Sequence, residues 1–151
     1  MFEIGAFCTW TIVGQYKYNI KDTLKTNEVL PYEEAKEVCE FLGKNSRLFE
    51  PDYFGIFRMV MNKVKFQYAA TPSHPRIWIN VLRGSNNSFY NEGSGAIIDA
   101  EEAPWAADEP NNALAGEGCV ETNMRGKWND IKCTNENLGL CQAPCKFLKR
   151  F

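Results

Sequence analysis

Five oxygen-bearing side chains lie close together in the last third of the chain, within two tripeptides and the segment between them. The tripeptides are Glu109-Pro110-Asn111 and Trp128-Asn129-Asp130, and Glu117 lies between them. Carboxylate and amide oxygens are ligands of hard cations, and Ca²⁺ takes roughly 6–8 such oxygens. Five protein ligands would therefore hold Ca²⁺ and leave coordination positions at which a small ligand can bind. The five side chains are those of Glu109, Asn111, Glu117, Asn129 and Asp130.

The composition is that of an ordinary globular domain. The chain has 151 residues, of which 44% are hydrophobic and 24% are charged. This length is sufficient for one hydrophobic core, and we expect a single domain over residues 1–151 with its core at about 8–145. The net charge of −2 gives no basis for nucleic-acid binding. No apolar run approaches the roughly 18 residues of a membrane span.

The cysteine content favours an oxidising compartment. Six cysteines in a chain of this length suggest three disulfides, and we therefore expect a secreted, extracellular protein. The cytosolic alternative, a zinc or redox site, would need partners that the sequence does not offer. There is no C-x-x-C motif, and His74 is the single histidine.

Hydrophobic patterning predicts two helices followed by short strands. Residues 31–43 and 51–65 have apolar positions at spacings of three and four, which is typical of helices. Alternating aromatic and polar residues at 8–20 predict a strand pair or hairpin. The clearest strand covers 77–82, and shorter strands are predicted at 119–121, 127–129 and 139–142. Residues 83–118 form a predicted loop, and a loop of this length is usually functional.

This order of elements and motifs resembles the C-type lectin domain family, over about residues 8–141. The resemblance implies an α+β fold in which two helices pack on small antiparallel sheets, with a long calcium-binding loop region. Asn80 stands where the family usually has glycine. We expect this departure to affect core packing rather than the carbohydrate-binding site that the resemblance implies. The residues that carry the resemblance are Cys39, Trp78-Ile79-Asn80-Val81, Glu109-Pro110-Asn111, Cys119, Trp128-Asn129-Asp130, Cys133 and Cys141.

The resemblance also implies two disulfides, Cys39–Cys141 and Cys119–Cys133. Cys8 and Cys145 are then left over. Because the terminal strands are neighbours in this fold, we expect an internal Cys8–Cys145 disulfide. A disulfide to another subunit is the alternative.

The same resemblance gives a role to the five oxygen ligands. In the family the Glu-Pro bond is cis, which directs Glu109 and Asn111 at one Ca²⁺, and the vicinal diol of a sugar completes the metal shell. Glu-Pro-Asn accompanies sugars of the mannose, fucose, glucose or N-acetylglucosamine type, so glycans of mannose type are the expected partners. The residues expected to bind both metal and carbohydrate are Glu109, Asn111, Glu117, Asn129 and Asp130.

One Ca²⁺ per chain is expected rather than two. Family members with a second site have acidic residues at the positions where this chain has Asn112 and Gly118. Each of these changes removes a charge, and glycine has no side chain with which to coordinate a metal. We also expect Trp105 and Trp128 to be core residues that support the site.

Other functions compete with this interpretation. Glu, Pro, Asn and Asp also populate ordinary turns. An enzyme is not expected, because the chain has one histidine and lacks H-E-x-x-H, G-x-S-x-G and phosphate-loop motifs. A protein- or ice-binding module on the same fold is the alternative function, since a fold does not determine a function. A glycan-binding chain would gain avidity as a homo-oligomer.

Overall fold

The computed structural model describes residues 7–13, 29–41, 45–67, 76–112 and 116–144, with the backbone alone described at 7–13, 66–67 and 143–144. The predicted Cys8–Cys145 disulfide and the second half of the predicted hairpin at 8–20 lie outside the described residues. The helices are α1 (Tyr32–Phe41) and α2 (Phe54–Gln67). The strands are β1 (Phe7–Val13), β2 (Arg47–Leu48), β3 (Ile77–Arg83), β4 (Phe89–Asn91), β5 (Cys119–Thr122), β6 (Trp128–Ile131) and β7 (Leu138–Pro144).

Helix α1 forms within the predicted range. Its first turn carries Glu33 and Glu34, whose carboxylates interact favourably with the positive end of the helix dipole. The buried face consists of Tyr32, Ala35 and Cys39. The apolar spacing of this segment therefore predicted correctly which face of α1 packs in the core.

Helix α2 begins at Phe54 rather than at residue 51, where the prediction began it. The Phe57 amide donates to the Tyr53 carbonyl at 3.0 Å and opens the helix. The Asp52 amide instead donates to the Glu50 carbonyl at 2.9 Å, which closes a tight turn ahead of the helix. Pro51 therefore lies in this turn and not in the first turn of the helix. The buried residues of α2 are Phe57, Val60, Met61 and Val64.

The strands form one mixed sheet. Its order is β1-β7-β3-β5-β6, with β2 also paired to β7 and β4 also paired to β3. The pairing of β3 with β7 is parallel, through Ile77↔Leu138 and Trp78↔Gly139, and the other pairings are antiparallel. The α+β class is confirmed. The antiparallel pairing that the resemblance implies holds except at this junction, where β7 runs in the same direction as β3.

The predicted loop at 83–118 contains short regular elements. A 3₁₀ turn covers Ser85–Asn87, and β4 returns along β3 with Val81 opposite Asn91. Patterning missed β4 because the strand has only three residues, and Phe89 is its one buried hydrophobic side chain. The remaining described residues of the loop form turns and isolated bridges, among them one that joins Trp105 to Trp128.

Trp128 lies at the centre of an aromatic cluster, next in sequence to two of the predicted ligands. It is fully buried, and its ring meets those of Phe54, Phe57 and Trp105 edge to face at centroid distances of 5.8, 5.7 and 5.5 Å. Such arrangements are the favourable ones for aromatic pairs. Trp128 is thus a core residue, Trp105 packs against the core while partly buried, and together they fix the start of β6.

The structure contains the disulfides Cys39–Cys141 and Cys119–Cys133, with Cα–Cα distances of 5.3 and 5.2 Å. Their sequence separations are 102 and 14 residues, and loops of these sizes contribute about 3–5 kcal/mol each in the chain-entropy model. The first disulfide ties α1 to β7. The second ties the start of β5 to the segment after β6, and it thereby braces the chain between the predicted ligands.

Asn80 belongs to a buried polar network in the core. The Tyr32 hydroxyl donates to Asn80 Oδ1 at 2.9 Å, and Asn80 Nδ2 donates to Glu50 Oε1 at 2.9 Å. Because each of these buried groups has a hydrogen-bond partner, the asparagine is accommodated without an unmatched polar atom. Asn80 therefore links helix α1 to the Glu50 segment within the core.

Candidate functional site

Glu109 and Asn111 are presented by a turn whose Glu109–Pro110 peptide bond is cis, as the family resemblance implies. The residues on either side, Asp108 and Asn112, have left-handed backbone angles with φ of 65° and 47°, a conformation that Asp and Asn tolerate better than most residues. Asn111 Nδ2 donates to Glu109 Oε2 at 3.0 Å. The two side chains that flank the proline therefore lie side by side, as ligands of one cation must.

Strand β6 brings Asp130 against this turn. The Asp130 side chain is fully buried, and both of its oxygens accept main-chain hydrogen bonds from the turn. The Asn111 amide donates to Oδ1 at 3.1 Å, and the Asn112 amide donates to Oδ2 at 2.7 Å. Hydrogen bonds to an ionised carboxylate are stronger than neutral ones. These two bonds hold the turn on the strand, so that Glu109, Asn111 and Asp130 meet at one place.

Glu117 joins this group from the segment just before β5. It is 7% exposed, and its main-chain carbonyl accepts a hydrogen bond from Arg83 Nε at 2.9 Å. Its carboxylate lies near enough to Glu109 to raise the pKa of that group. Four of the five predicted ligands thus share one neighbourhood.

Asn129 is arranged differently from the other four. Its Nδ2 donates to Glu121 Oε2 at 3.1 Å, across the β5–β6 pair in which these two residues are direct partners. Glu121 is itself buried and also accepts from Arg76 NH1 at 2.9 Å and Asn137 Nδ2 at 3.0 Å. Successive side chains of a strand point to opposite faces, so Asn129 and Asp130 diverge. The bond to Glu121 uses the amide nitrogen and leaves the Asn129 oxygen as an acceptor.

The carboxylate of Glu109 is crowded by other acidic side chains. Burial, then hydrogen bonding to Asp130 and the charges of Asp130 and Glu117, raise the pKa of Glu109 to about 7. Glu109 Oε1 is buried and finds no hydrogen-bond donor among the described residues. A buried acceptor without a donor is costly unless something compensates for it. A cation with oxygen ligands would supply that compensation, and the donor set of carboxylates and amides fits one.

The acidic side chains do not by themselves form a metal cage. Over residues 29–41, 45–65, 76–112 and 116–142, no three His, Cys, Asp or Glu side chains group as a metal cluster. Asp130 is turned toward backbone amides and a guanidinium, and the amide oxygens of the two asparagines are needed to complete a ligand set. The described site is therefore a partly assembled one.

Arg83 is a residue of this site that the sequence prediction missed. It is the last residue of β3, and its guanidinium forms an ion pair with Asp130 Oδ2. It also reaches Asn87 Oδ1 at 3.2 Å and lies over the Phe89 ring, 4.7 Å from the centroid. An arginine at the end of a strand, directly before a loop that holds acidic residues, is the sequence signal that could have identified it.

The comparisons with known proteins agree with this architecture. The family model described as Lectin C-type domain matches residues 28–143. E-selectin of Bos taurus is 29% identical over 131 residues, which cover 80% of this chain and 24% of that protein. The chain therefore spans about a quarter of the length of this curated relative.

Two solved structures show the same fold. C-type lectin CEL-I from Cucumaria echinata superposes with a TM-score of 0.63 at 18% identity, over 77% of this chain and 84% of that one. The cow C-type carbohydrate-recognition domain of CD23, determined in the presence of a GlcNAc2Man3 oligosaccharide, gives a TM-score of 0.61 at 22% identity, over 78% and 82% of the two chains. The predicted fold is thereby confirmed. In the part of the chain that the structure describes, neither helix has the length and apolarity needed to cross a membrane.

Proposed function

Since the chain belongs to the C-type lectin domain family, we propose that it binds carbohydrate in a calcium-dependent manner through the site at Glu109, Asn111 and Asp130. The family consists of carbohydrate-binding domains rather than enzymes, which confirms the expectation that the chain is not an enzyme. The observation that carries the proposal is the buried Glu109 Oε1 without a donor, beside an amide and a second carboxylate.

The residues that would hold the ion are the four that share one neighbourhood. Asn129 would add its amide oxygen by turning away from Glu121. When bound, Ca²⁺ supplies positive charge to the crowded carboxylates and open positions for two hydroxyl oxygens of a sugar. Carboxylate oxygens accept hydrogen bonds from those hydroxyls, and asparagine amide groups donate hydrogen bonds to them. The four residues are Glu109, Asn111, Glu117 and Asp130.

The sugar class that we propose is that of mannose, fucose, glucose and N-acetylglucosamine, because the order Glu109-Pro110-Asn111 places a carboxylate and an amide in fixed positions on either side of the proline. A site with fixed donors and acceptors discriminates against hydroxyl arrangements that leave one of its polar groups unpaired. One Ca²⁺ per chain is proposed, because the second family position would have to use Asn112 and Gly118. The main-chain amide of Asn112 donates to Asp130, and Gly118 has no side chain.

The wider setting of the domain belongs to the same proposal. A single domain over residues 1–151 accords with the matched range 28–143 and with one continuous sheet. Secretion accords with the disulfides Cys39–Cys141 and Cys119–Cys133, which persist in oxidising compartments. Because a site that contacts one sugar binds weakly, avidity from a homo-oligomer would support function.

A protein-binding module without metal is the second candidate function. The observation that favours it is the engagement of two expected ligands with partners other than a metal. Asp130 pairs with Arg83, and Asn129 bonds to Glu121. A chain in which these contacts persist would bind neither Ca²⁺ nor sugar.

Retention on immobilised mannose or fucose separates the two functions. The chain should be retained in Ca²⁺ and released by EDTA, and Asp130→Asn should pass through unretained. Glu101→Gln, which removes an exposed carboxylate outside the site, is the matched control and should behave as wild type. Failure of the wild-type chain to be retained on either resin, at a density that retains a known lectin, would favour the protein-binding module.

A further inference from the structure

The guanidinium of Arg83 is held from four sides at the centre of the candidate site. Nε donates to the Glu117 carbonyl at 2.9 Å, one terminal nitrogen pairs with Asp130, and the other donates to Asn87 Oδ1 at 3.2 Å. The Phe89 ring lies beneath it, with the guanidinium carbon 4.7 Å from the centroid. The side chain is only 13% exposed, and that of Asp130 is fully buried.

These contacts join the two segments that carry the expected ligands. Glu117 lies before β5 and Asp130 lies on β6, and a single guanidinium touches both. A buried carboxylate needs a partner charge, because the loss of its hydration is otherwise not compensated. Arg83 is that partner for Asp130, so the charge of Asp130 is already compensated when no metal is present.

The electrostatic consequence concerns Ca²⁺ directly. Glu109, Glu117 and Asp130 contribute three negative charges to the proposed metal site, and Arg83 contributes one positive charge at hydrogen-bond distance from one of them. The positive charge of Arg83 repels a Ca²⁺ ion at the shared carboxylate and so lowers the affinity of the site for Ca²⁺. By reciprocity, bound Ca²⁺ weakens the ion pair between Arg83 and Asp130 by the same free energy.

We propose that Arg83 is a built-in counter-ion of the site, which stabilises Asp130 and Glu117 in the metal-free chain and, by its positive charge, lowers the affinity for Ca²⁺. The proposal rests on the proposed function, since it assumes that Ca²⁺ binds at this site. Arg83 acts through the ligands that it contacts and is thus a positioning residue. Its removal should strengthen metal binding and weaken the metal-free fold.

Four variants separate charge from shape. Arg83→Gln removes the charge and keeps an N–H donor for the Glu117 carbonyl, and Arg83→Met removes both. Arg83→Lys keeps the charge and loses the planar fork. Arg125→Met is the matched control, because it removes an exposed arginine from the turn at the far end of the β5–β6 hairpin from Asp130.

Calorimetric titration of Ca²⁺ and thermal unfolding in EDTA and in saturating Ca²⁺ are the two measurements. Arg83→Gln should bind Ca²⁺ about tenfold more tightly than wild type, within the range of typical couplings. Arg83→Lys should stay within about threefold of wild type, as should Arg125→Met. Both neutral variants should lose several degrees of Tm in EDTA and much less in saturating Ca²⁺. If Arg83→Gln does not fold, Arg83→Met provides the same comparison with a neutral side chain.

An affinity of the neutral variants equal to or weaker than that of wild type would overturn the proposal. So would an equal loss of Tm with and without Ca²⁺, because a purely structural arginine would destabilise both states alike. If wild type binds Ca²⁺ and the neutral variants bind no more tightly, the counter-ion proposal alone is overturned. If no variant binds Ca²⁺, the proposed function fails as well.

Discussion

The carboxylate of Asp130 accepts a hydrogen bond from the main-chain amide of Asn111 at 3.1 Å, and this bond joins β6 to the turn that follows Pro110. The two tripeptides noted in the sequence are thus connected directly rather than only through a metal. Because Asp130 is buried and also pairs with Arg83, one side chain supports the turn, the strand and the end of β3. Its replacement should therefore affect stability and metal binding together.

Asp130→Asn should abolish Ca²⁺ binding and destabilise the metal-free chain by about 3 kcal/mol, the scale for breaking a buried ion pair. The loss arises because Arg83 is left largely buried without its counter-charge. Urea unfolding in EDTA measures it, and the double variant Asp130→Asn with Arg83→Met is the control. The loss of unfolding free energy in the double variant should be smaller, by at least about 1 kcal/mol, than the sum of the losses in the two single variants. Strict additivity would contradict the pairing.

The metal-free chain should lose stability at Glu109 as the pH rises from 4.5 to about 7. The pKa of Glu109 is raised from 4.5 to about 7 in the fold, so the folded chain binds more protons than the unfolded chain in this window. Stability then falls with increasing pH. A glutamine at position 109 cannot titrate, so the Glu109→Gln chain should lack this pH dependence of stability. Thermal unfolding of both chains in EDTA at pH 5 and pH 7.5 tests the sign, and the Tm of wild type should fall relative to that of the variant. A relative rise in the Tm of wild type would refute the assignment.

Exchange of the two ligands around the proline should change sugar preference. Glu109→Gln with Asn111→Asp keeps the number of ligands and the net charge. The carboxylate acceptor then lies after the proline and the amide donor before it, the reverse of the original order. A diol that fitted the original order then leaves polar groups unmatched, at about 1–3 kcal/mol each. A glycan array should show binding shift from mannose-type toward galactose-type sugars. An unchanged ranking would mean that these residues do not select the sugar.

The two fully buried tryptophans should differ in their response to phenylalanine. Trp78 Nε1 donates to the Leu30 carbonyl at 2.7 Å, whereas Trp128 Nε1 has no acceptor within the described ranges. Both substitutions leave a cavity, but only Trp78→Phe also loses a hydrogen bond, although the Leu30 carbonyl keeps the Asn137 amide as a donor. Trp78→Phe should therefore cost about 1–2 kcal/mol more than Trp128→Phe in urea unfolding. Equal costs would show that the indole nitrogen of Trp128 is also bonded.

The grouping of Glu109, Asn111 and Asp130 could be predicted from the sequence because these residues lie in short contiguous motifs, with Cys119 and Cys133 close by. Glu109 and Asn111 are two residues apart, and Asp130 follows a buried tryptophan that sets the face of β6. Helix positions followed from apolar spacing, although the start of α2 depended on the turn at Glu50, which no periodicity reports.

Arg83 and the partner of Asn129 could not be predicted in this way. Arg83 reaches Asp130 only because β3 and β6 flank β5 in the sheet, and that neighbourhood is a matter of strand order rather than of local sequence. The bond between Asn129 and Glu121 depends on the register of β5 and β6. Contacts that depend on strand order or on the register of a strand pair need the three-dimensional structure.

Titration of Ca²⁺ with and without saturating mannose tests the central claim most directly. If a sugar completes the metal shell, each ligand must raise the affinity of the other by the same factor. One Ca²⁺ should bind per chain, its affinity should rise severalfold in mannose, and galactose at the same concentration should leave it nearly unchanged. Absence of Ca²⁺ binding, or a Ca²⁺ affinity that mannose does not change, would contradict the proposal that this site binds sugar through the metal.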